Sequence, residues 1–334
     1  EKVVQVNHPR GGMGYFTSIG LDFLTGKTAT DPAVLHMPTD IVKGDDTGLF
    51  DTNFTAIEIL NGRSLRTFIP RFNDWLALLQ RGVTRTATAV TDTHRAYSGD
   101  MGSPYTYVRV GAGEDTPATF KVEDFVHALN QGFASGTTGP FVTVTATSGG
   151  QSAGIGGVLS PASPGASVEI TVQIQIPDWL TIDTIDLYAN TTGLEAKPYE
   201  QMNDLPAPSQ TLSVDLSQEA TVPGAGIADA NTPYRRWVIT RTFTVTPTED
   251  TWYVVLVRGS EASGFPALLE PAPALTFTNP VFVDADGGGY QAPQAFEAGA
   301  RRIWHRARPR WEIEHRRPTQ AEMIDRLRRL VHHH

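Results

Sequence analysis

Between Lys2 and Asn130 the apolar residues fall into two alternating rhythms. Short runs at Val3–Val6, Thr55–Leu60 (TAIEIL), Thr84–Val90 and Tyr105–Val110 are β-branched or aromatic-rich and stop at polar or glycine positions, which predicts strands. Between the second and third of these, Asn73–Gly82 (NDWLALLQRG) carries Trp75, Leu76, Leu78 and Leu79 at helical spacing, with Asn73 as expected N-cap and Gly82 as stop. Val122–Asn130 (VEDFVHALN) predicts a second, shorter helix, and Thr137–Pro140 closes this part. Strand, helix, strand in that order is the βαβ signature of a parallel sheet.

From Phe141 the helical period disappears. Phe141–Ala146, Ser167–Ile176, Ile182–Tyr188, Thr211–Leu216, Trp237–Val245 and Trp252–Val257 alternate between Pro/Gly turns, which predicts an antiparallel sandwich. Phe277–Tyr290 is then a strand running into an Asp-Gly loop. Pro318–Val331 is a basic amphipathic helix with Met323, Ile324, Leu327, Leu330 and Val331 on one side. The expected division is therefore residues 1–140, 141–275 and 276–334, with the first break near 140.

Composition changes this picture little. At 334 residues and 40% hydrophobic content the chain can build more than one core, no apolar run approaches the roughly 18 residues that span a bilayer, and the absence of cysteine removes disulfides, thiolate metal sites and thiol nucleophiles. Charge distribution matters more. The net charge of −9 conceals ten Arg and four acids in residues 301–334, a balance of +6 that leaves residues 1–300 at −15. So acidic a body argues against nucleic acid, whose phosphates require Lys and Arg. The basic tail suits packing on a neighbouring domain or subunit, or contact with an anionic surface. His332–His334 reads as the start of a purification tag.

Candidate chemistry gathers at strand ends. Val3–Pro9 (VVQVNHP) ends on His8, and the third strand runs into Thr91-Asp92-Thr93-His94; an Asp and a His two residues apart can aim an oxygen and an imidazole nitrogen at one metal ion. The alternative is three polar strand-end residues that are hydrogen-bonded and silent. Arg10 stands two residues after His8 and suits an anionic group or transition-state oxygens, or else a structural salt bridge. Tyr15 and Phe16 suit a pocket lining or simple packing, Glu58 a structural role near the site, and His127 a surface position. Gly150-Gln151-Ser152-Ala153-Gly154 matches the G-x-S-x-G pattern of serine hydrolases, but the sequence after it lacks the helix that such an elbow needs. Asp284-Ala285-Asp286-Gly287-Gly288-Gly289 suits a calcium loop, without the later bidentate Glu of an EF-hand; a glycine-rich β-turn is the alternative.

Taken in order, VNHPRGGMGYF, AIEILNGR, NDWLALLQRG, TATAVTDTHRAYSGDMGSPYTYVRV and SGTTGPFV resemble the later half of the PHP (polymerase and histidinol phosphatase) domain, nearest to the carbaryl-hydrolase-like CehA/McbA branch. The resemblance covers about residues 1–142. It implies the C-terminal half of a distorted (βα)7 barrel, followed here by the β-sandwich and the basic helical tail. It further implies two or three zinc, manganese or iron ions per complete site, with His8, Asp92 and His94 among the ligands; if such a site is complete, Arg10 is placed to act as its catalytic residue on an anionic group or transition-state oxygens. The activity implied is hydrolysis of a phosphoester or a carboxyl or carbamate ester, in a periplasmic or secreted protein. The family's opening His-x-His, Asp, His and bridging Glu motifs have no counterpart in this chain, so the reading expects the upstream half of the domain from elsewhere, as a preceding segment or a separate chain. The alternative is a non-catalytic structural or binding protein with an incomplete metal site, and a homo-oligomer formed through the C-terminal helix is compatible with either.

Overall fold

In a computed structural model of the chain, the residues described are 1–10, 14–18, 54–94, 102–161, 163–190, 204–224, 235–263 and 272–293. The first stretch contains β1 (Gln5–Val6), α1 (Tyr15–Ser18), β2 (Ala56–Asn61), α2 (Leu65–Gln80), β3 (Thr86–Val90), β4 (Tyr105–Val108), α3 (Val122–Asn130) and β5 (Ala134–Thr137). It is followed by β6 (Phe141–Ser148), β7 (Gln151–Gly154), β8 (Val158–Leu159), β9 (Val168–Pro177), β10 (Thr184–Ala189) and β11 (Gln210–Ser213). The remaining strands are β12 (Thr221–Pro223), β13 (Arg235–Val245), β14 (Thr251–Ser263), β15 (Ala272–Thr278) and β16 (Val281–Val283). Residues 11–13 and 19–53, the basic C-terminal helix with its oligomer contact, and His332–His334 lie outside the described residues. No helix among the described residues is long and apolar enough to cross a membrane.

β1, β2 and β3 form a three-stranded sheet in that order, both pairs parallel, with α2 connecting β2 to β3. The second sheet runs β11-β10-β14-β15-β5-β4, with β16 on β14 and β8 on β16; the third runs β12-β13-β9-β6-β7. The third sheet is the outer one. On β9 the residues Val168, Ile170, Val172, Ile174 and Ile176 are buried and Glu169 and Gln173 are exposed, the period-two pattern of a sheet with one wet face.

The second sheet is different, because both its faces are covered. Along β14, Trp252, Val254 and Leu256 enter one core and Tyr253, Val255 and Val257 the other. Trp252–Val257 was expected to alternate like the rest, yet it contains no polar residue, and a strand without a polar face is buried on both sides. One core joins it to the outer sheet. The other joins it to α2: Phe68 and Trp75 meet the Phe277 ring at 5.7 and 6.4 Å, Phe72 meets Tyr188 at 5.2 Å, and Trp252 Nε1 donates to Gln80 Oε1 at 3.2 Å. Residues 138–140, where a domain break was expected, are the passage between these two sheets inside one compact unit of residues 1–296.

α2 also corrects the helix expected over Asn73–Gly82. It starts at Leu65, with Ser64 at the N-cap position and Asn73 in its interior, and it runs through Pro70. Pro70 removes a main-chain hydrogen bond at a cost of about 3 kcal/mol. Phe68 and Phe72, on either side of it, are fully buried, and burying each side chain contributes about 1.5–3 kcal/mol, so packing outweighs the proline. α3 covers Val122–Asn130 as expected.

Among the described residues no strand pairs with the outer edge of β3, yet its main chain is paired. Asn279 Oδ1 accepts from Ala87 N at 2.8 Å while its Nδ2 donates to Ala87 O at 3.0 Å and Ala134 O at 2.9 Å. Two residues on, Thr106 Oγ1 accepts from Ala89 N and donates to Ala89 O, both at 2.9 Å. Side chains therefore stand in for a fourth strand on an edge that would otherwise expose its donors and acceptors.

Candidate functional site

The C-terminal ends of the three parallel strands converge, which is where open and closed α/β sheets place ligands. β1 leads to His8, β2 ends on Asn61, and β3 leads to Asp92 and His94. His8 and Asp92 both take left-handed backbone angles, φ 48° and 51°, a conformation uncommon for residues other than glycine and enriched at functional sites. At His8 the cause is visible in the chain itself. Phe16 N bonds to Pro9 O at 2.9 Å, and Gly14 lies so close that a Cβ there would fall 2.2 Å from His8 O.

Asp92 is the centre of the group. Its Oδ2 lies 3.3 Å from His8 Nε2 and accepts from Asn61 Nδ2 at 3.2 Å; its Oδ1 lies 3.2 Å from His94 Nε2. The Asn61 amide, with the two imidazoles behind it, holds the Asp92 carboxyl below the usual carboxylate range. Both imidazoles are open to solvent, with His94 the more exposed. Each oxygen of Asp92 is thus matched to one imidazole, with donor separations near the roughly 3.3 Å expected between two ligands of a tetrahedral ion with bonds of about 2.0–2.1 Å. The three ligand atoms do not gather round one point: among the described residues, the trio of His, Asp or Glu atoms all within 4.8 Å of one another is Asp250, Asp284 and Asp286.

Behind this group sits a buried layer of charge. Glu58 is fully buried on β2; its Oε1 accepts from Arg71 Nη1 at 3.0 Å and from His8 N at 3.3 Å, and lies 3.7 Å from His8 Nδ1. Its Oε2 is buried without a hydrogen-bond partner, a costly state for a carboxylate oxygen. Arg10, next but one to His8, turns inward and grips Asp74 through Nε at 2.6 Å and Nη2 at 3.2 Å. Burial pushes the Asp74 carboxyl up to about 6 in spite of the Arg10 guanidinium on it and Arg71 nearby. Arg10 therefore anchors the strand-end loop to α2.

Sequence reasoning placed His8, Asp92 and His94 correctly at strand ends, but it did not single out Asn61, Arg71, Asp74 or Gly14. Asn61 carried a signal, since a polar amide closing an otherwise apolar strand in register with the other two ends is a candidate contact. Phe16 is fully buried against Tyr15 and Phe54, so it belongs to the core. His127 is exposed on α3, 3.5 Å from Glu1. Ser152 lies in β7, a hairpin partner of β6 at the sheet edge, so the G-x-S-x-G match has none of the strand-turn-helix geometry of a nucleophile elbow. A cleft of about 590 Å³ lined by Tyr107, Arg109, Phe133, Phe141 and Ser152 includes none of the strand-end residues; Arg109 packs over the Phe133 ring there, at 4.8 Å. Comparison with protein families, with curated proteins and with solved structures finds no match to this chain.

Proposed function

We propose that this chain carries part of the active site of a metal-dependent hydrolase of PHP type, cleaving a phosphoester or a carboxyl or carbamate ester. The observation that carries the reading is the Asp92 carboxylate, held between the His8 and His94 imidazoles at the C-terminal ends of parallel strands. Mixed nitrogen and oxygen donors suit zinc, manganese or iron. The orphaned Oε2 of Glu58, one side chain behind His8, adds a carboxylate oxygen that lacks a partner. When bound, two or three such ions would bring the pKa of a water towards neutrality and stabilise negative charge on the ester oxygens.

The chain's own residues orient and tune. Glu58 fixes His8 through its main-chain N–H while Arg71 balances the Glu58 charge. Asn61 keeps Asp92 ionised and turned to the imidazoles. Arg10, locked on Asp74, holds the loop that carries His8. Because the His8, Asp92 and His94 atoms pair rather than meet at one point, this reading requires further donors from outside the described residues, such as the upstream half of the domain. A periplasmic or secreted setting belongs to the same reading. The second reading, a non-catalytic structural or binding protein, is favoured by that same pairwise arrangement, in which the polar groups satisfy one another.

Metal analysis of the purified protein and zinc or manganese titration by calorimetry separate the two. Under the hydrolase reading the protein binds transition metal, Asp92→Ala and His94→Ala each weaken binding at least tenfold, and metal-stimulated cleavage of p-nitrophenyl esters or phosphates is lost with them. Wild-type protein that binds no transition metal, with any upstream polypeptide supplied, would sink it.

A further inference from the structure

A second cluster of acids lies on the sandwich, away from the strand ends. Asp250 sits in the turn between β13 and β14, and Asp284 and Asp286 follow β16; one carboxylate oxygen from each lies within 4.8 Å of the other two. We infer that Asp250, Asp284 and Asp286 form a binding site for a calcium ion, independent of the strand-end histidines.

Three observations carry this. The first is an unmet oxygen: Asp284 is 95% buried, its Oδ2 accepts from Ser160 Oγ and Gly289 N, both at 3.1 Å, and its Oδ1 is buried with no partner at all. A buried carboxylate oxygen without a donor calls for a cation. The second is charge: among the described residues no Lys, Arg or His forms an ion pair with any of the three acids, although the three carboxylates share a small volume.

The third is preorganisation in an all-oxygen set. Asp250 accepts from Ala285 N at 2.9 Å and Gln291 N at 2.6 Å, and Asp286 Oδ1 from Gly288 N at 2.8 Å, so the main chain of the 284–291 loop fixes where the carboxylates point. Oxygen donors alone select a hard cation, and a loose set of carboxylates open to solvent on one side suits the flexible coordination of calcium, with bonds of about 2.3–2.6 Å, better than the near-ideal octahedron that magnesium demands. Asp286 is exposed, which leaves the solvent side for the remaining ligands. The ion would tie together the β13–β14 turn, the loop after β16 and Ser160 beyond β8, three segments distant in sequence.

The test uses the full chain, stripped with EGTA and melted with no divalent ion, with 1 mM calcium or with 1 mM magnesium, alongside calorimetric calcium titration. Calcium is expected to raise the unfolding midpoint by about 3 °C or more, with magnesium giving clearly less. Asp286→Asn keeps the acceptor for Gly288 N and is expected to melt like wild type in EGTA while binding calcium at least tenfold more weakly; Asp284→Asn weakens it further. The calcium response persists in Asp92→Ala. No calcium shift in wild type, an equal shift with magnesium, an unchanged response in both cluster variants, or loss of the response in Asp92→Ala would each overturn the assignment.

Discussion

Replacing Asn279 by Ala tests the idea that side chains close the edge of the parallel sheet. Thr86 N bonds to Thr55 O, so β3 turns alternate residues towards β2, and Ala87 and Ala89 face outward. In Asn279→Ala the outward N–H and C=O of Ala87 both lose their partner, whereas Ala134 O keeps the Asn279 main-chain N–H at 3.1 Å. Asn279 is fully buried, so water cannot take over. At about 1–3 kcal/mol for each buried group left unpaired, the loss is about 4 kcal/mol, a large part of the roughly 5–15 kcal/mol that holds a domain folded. Asn279→Asp sharpens the test, since it keeps the acceptor but turns an anionic oxygen on two carbonyl oxygens, and is expected to cost at least as much at neutral pH. Thr106→Val removes the equivalent pair at Ala89, where the side chain is only partly buried and water can substitute, so about 2 kcal/mol is expected. Urea unfolding followed by tryptophan fluorescence measures all three. A cost below 1 kcal/mol for Asn279→Ala, or a larger cost for Thr106→Val, would refute the reasoning.

Two further predictions concern the layer behind the site. Asp74 has a folded pKa of about 6 against an ordinary 3.8, so between those values the folded state holds the extra proton and stability falls as pH rises through the window. Relative to Asp74→Asn, the wild type is expected to lose about 3 kcal/mol between pH 3.5 and 7 and then stay level, as read from urea midpoints across that range; parallel profiles for the two proteins would contradict it. Gly14→Ala forces a Cβ onto His8 O and must move the His8 main chain. It is expected to weaken zinc binding at least tenfold while costing about 1–3 kcal/mol in stability, and unchanged zinc affinity by calorimetry would remove Gly14 from the positioning of His8.

What could be read from the sequence was whatever is local. The bounds of α3, the places of the six strands expected between Phe141 and Val257, though not the alternation expected of Trp252–Val257, and the strand-end positions of His8, Asp92 and His94 all follow from period and termination. α2 was read too short because Asn73 suits an N-cap, and the turns before it are held by Phe68 and Phe72 packed against Phe277 and Tyr188, partners two hundred and more than a hundred residues away. Asp250 could not be joined to Asp284 and Asp286 for the same reason, since it is the β14–β16 pairing that brings the turn to the loop. Arg71 and Asp74 lay in plain view on a helix, but their burial, and hence their meaning, depends on which face of α2 meets the sheet. The break read near 140 was a real change in sequence texture; it marks a change of sheet, which a change of period cannot tell from a change of domain.

β14 has a consequence that reaches beyond packing. Since its alternate residues serve two cores, neither half of the molecule has a private foundation: a piece beginning at 141 would carry Tyr188, Trp252, Val254, Leu256, Leu275 and Phe277 on a bare face, and a piece ending there would lose the surface that α2 rests on. The two parts are therefore expected to fold and unfold as one cooperative unit.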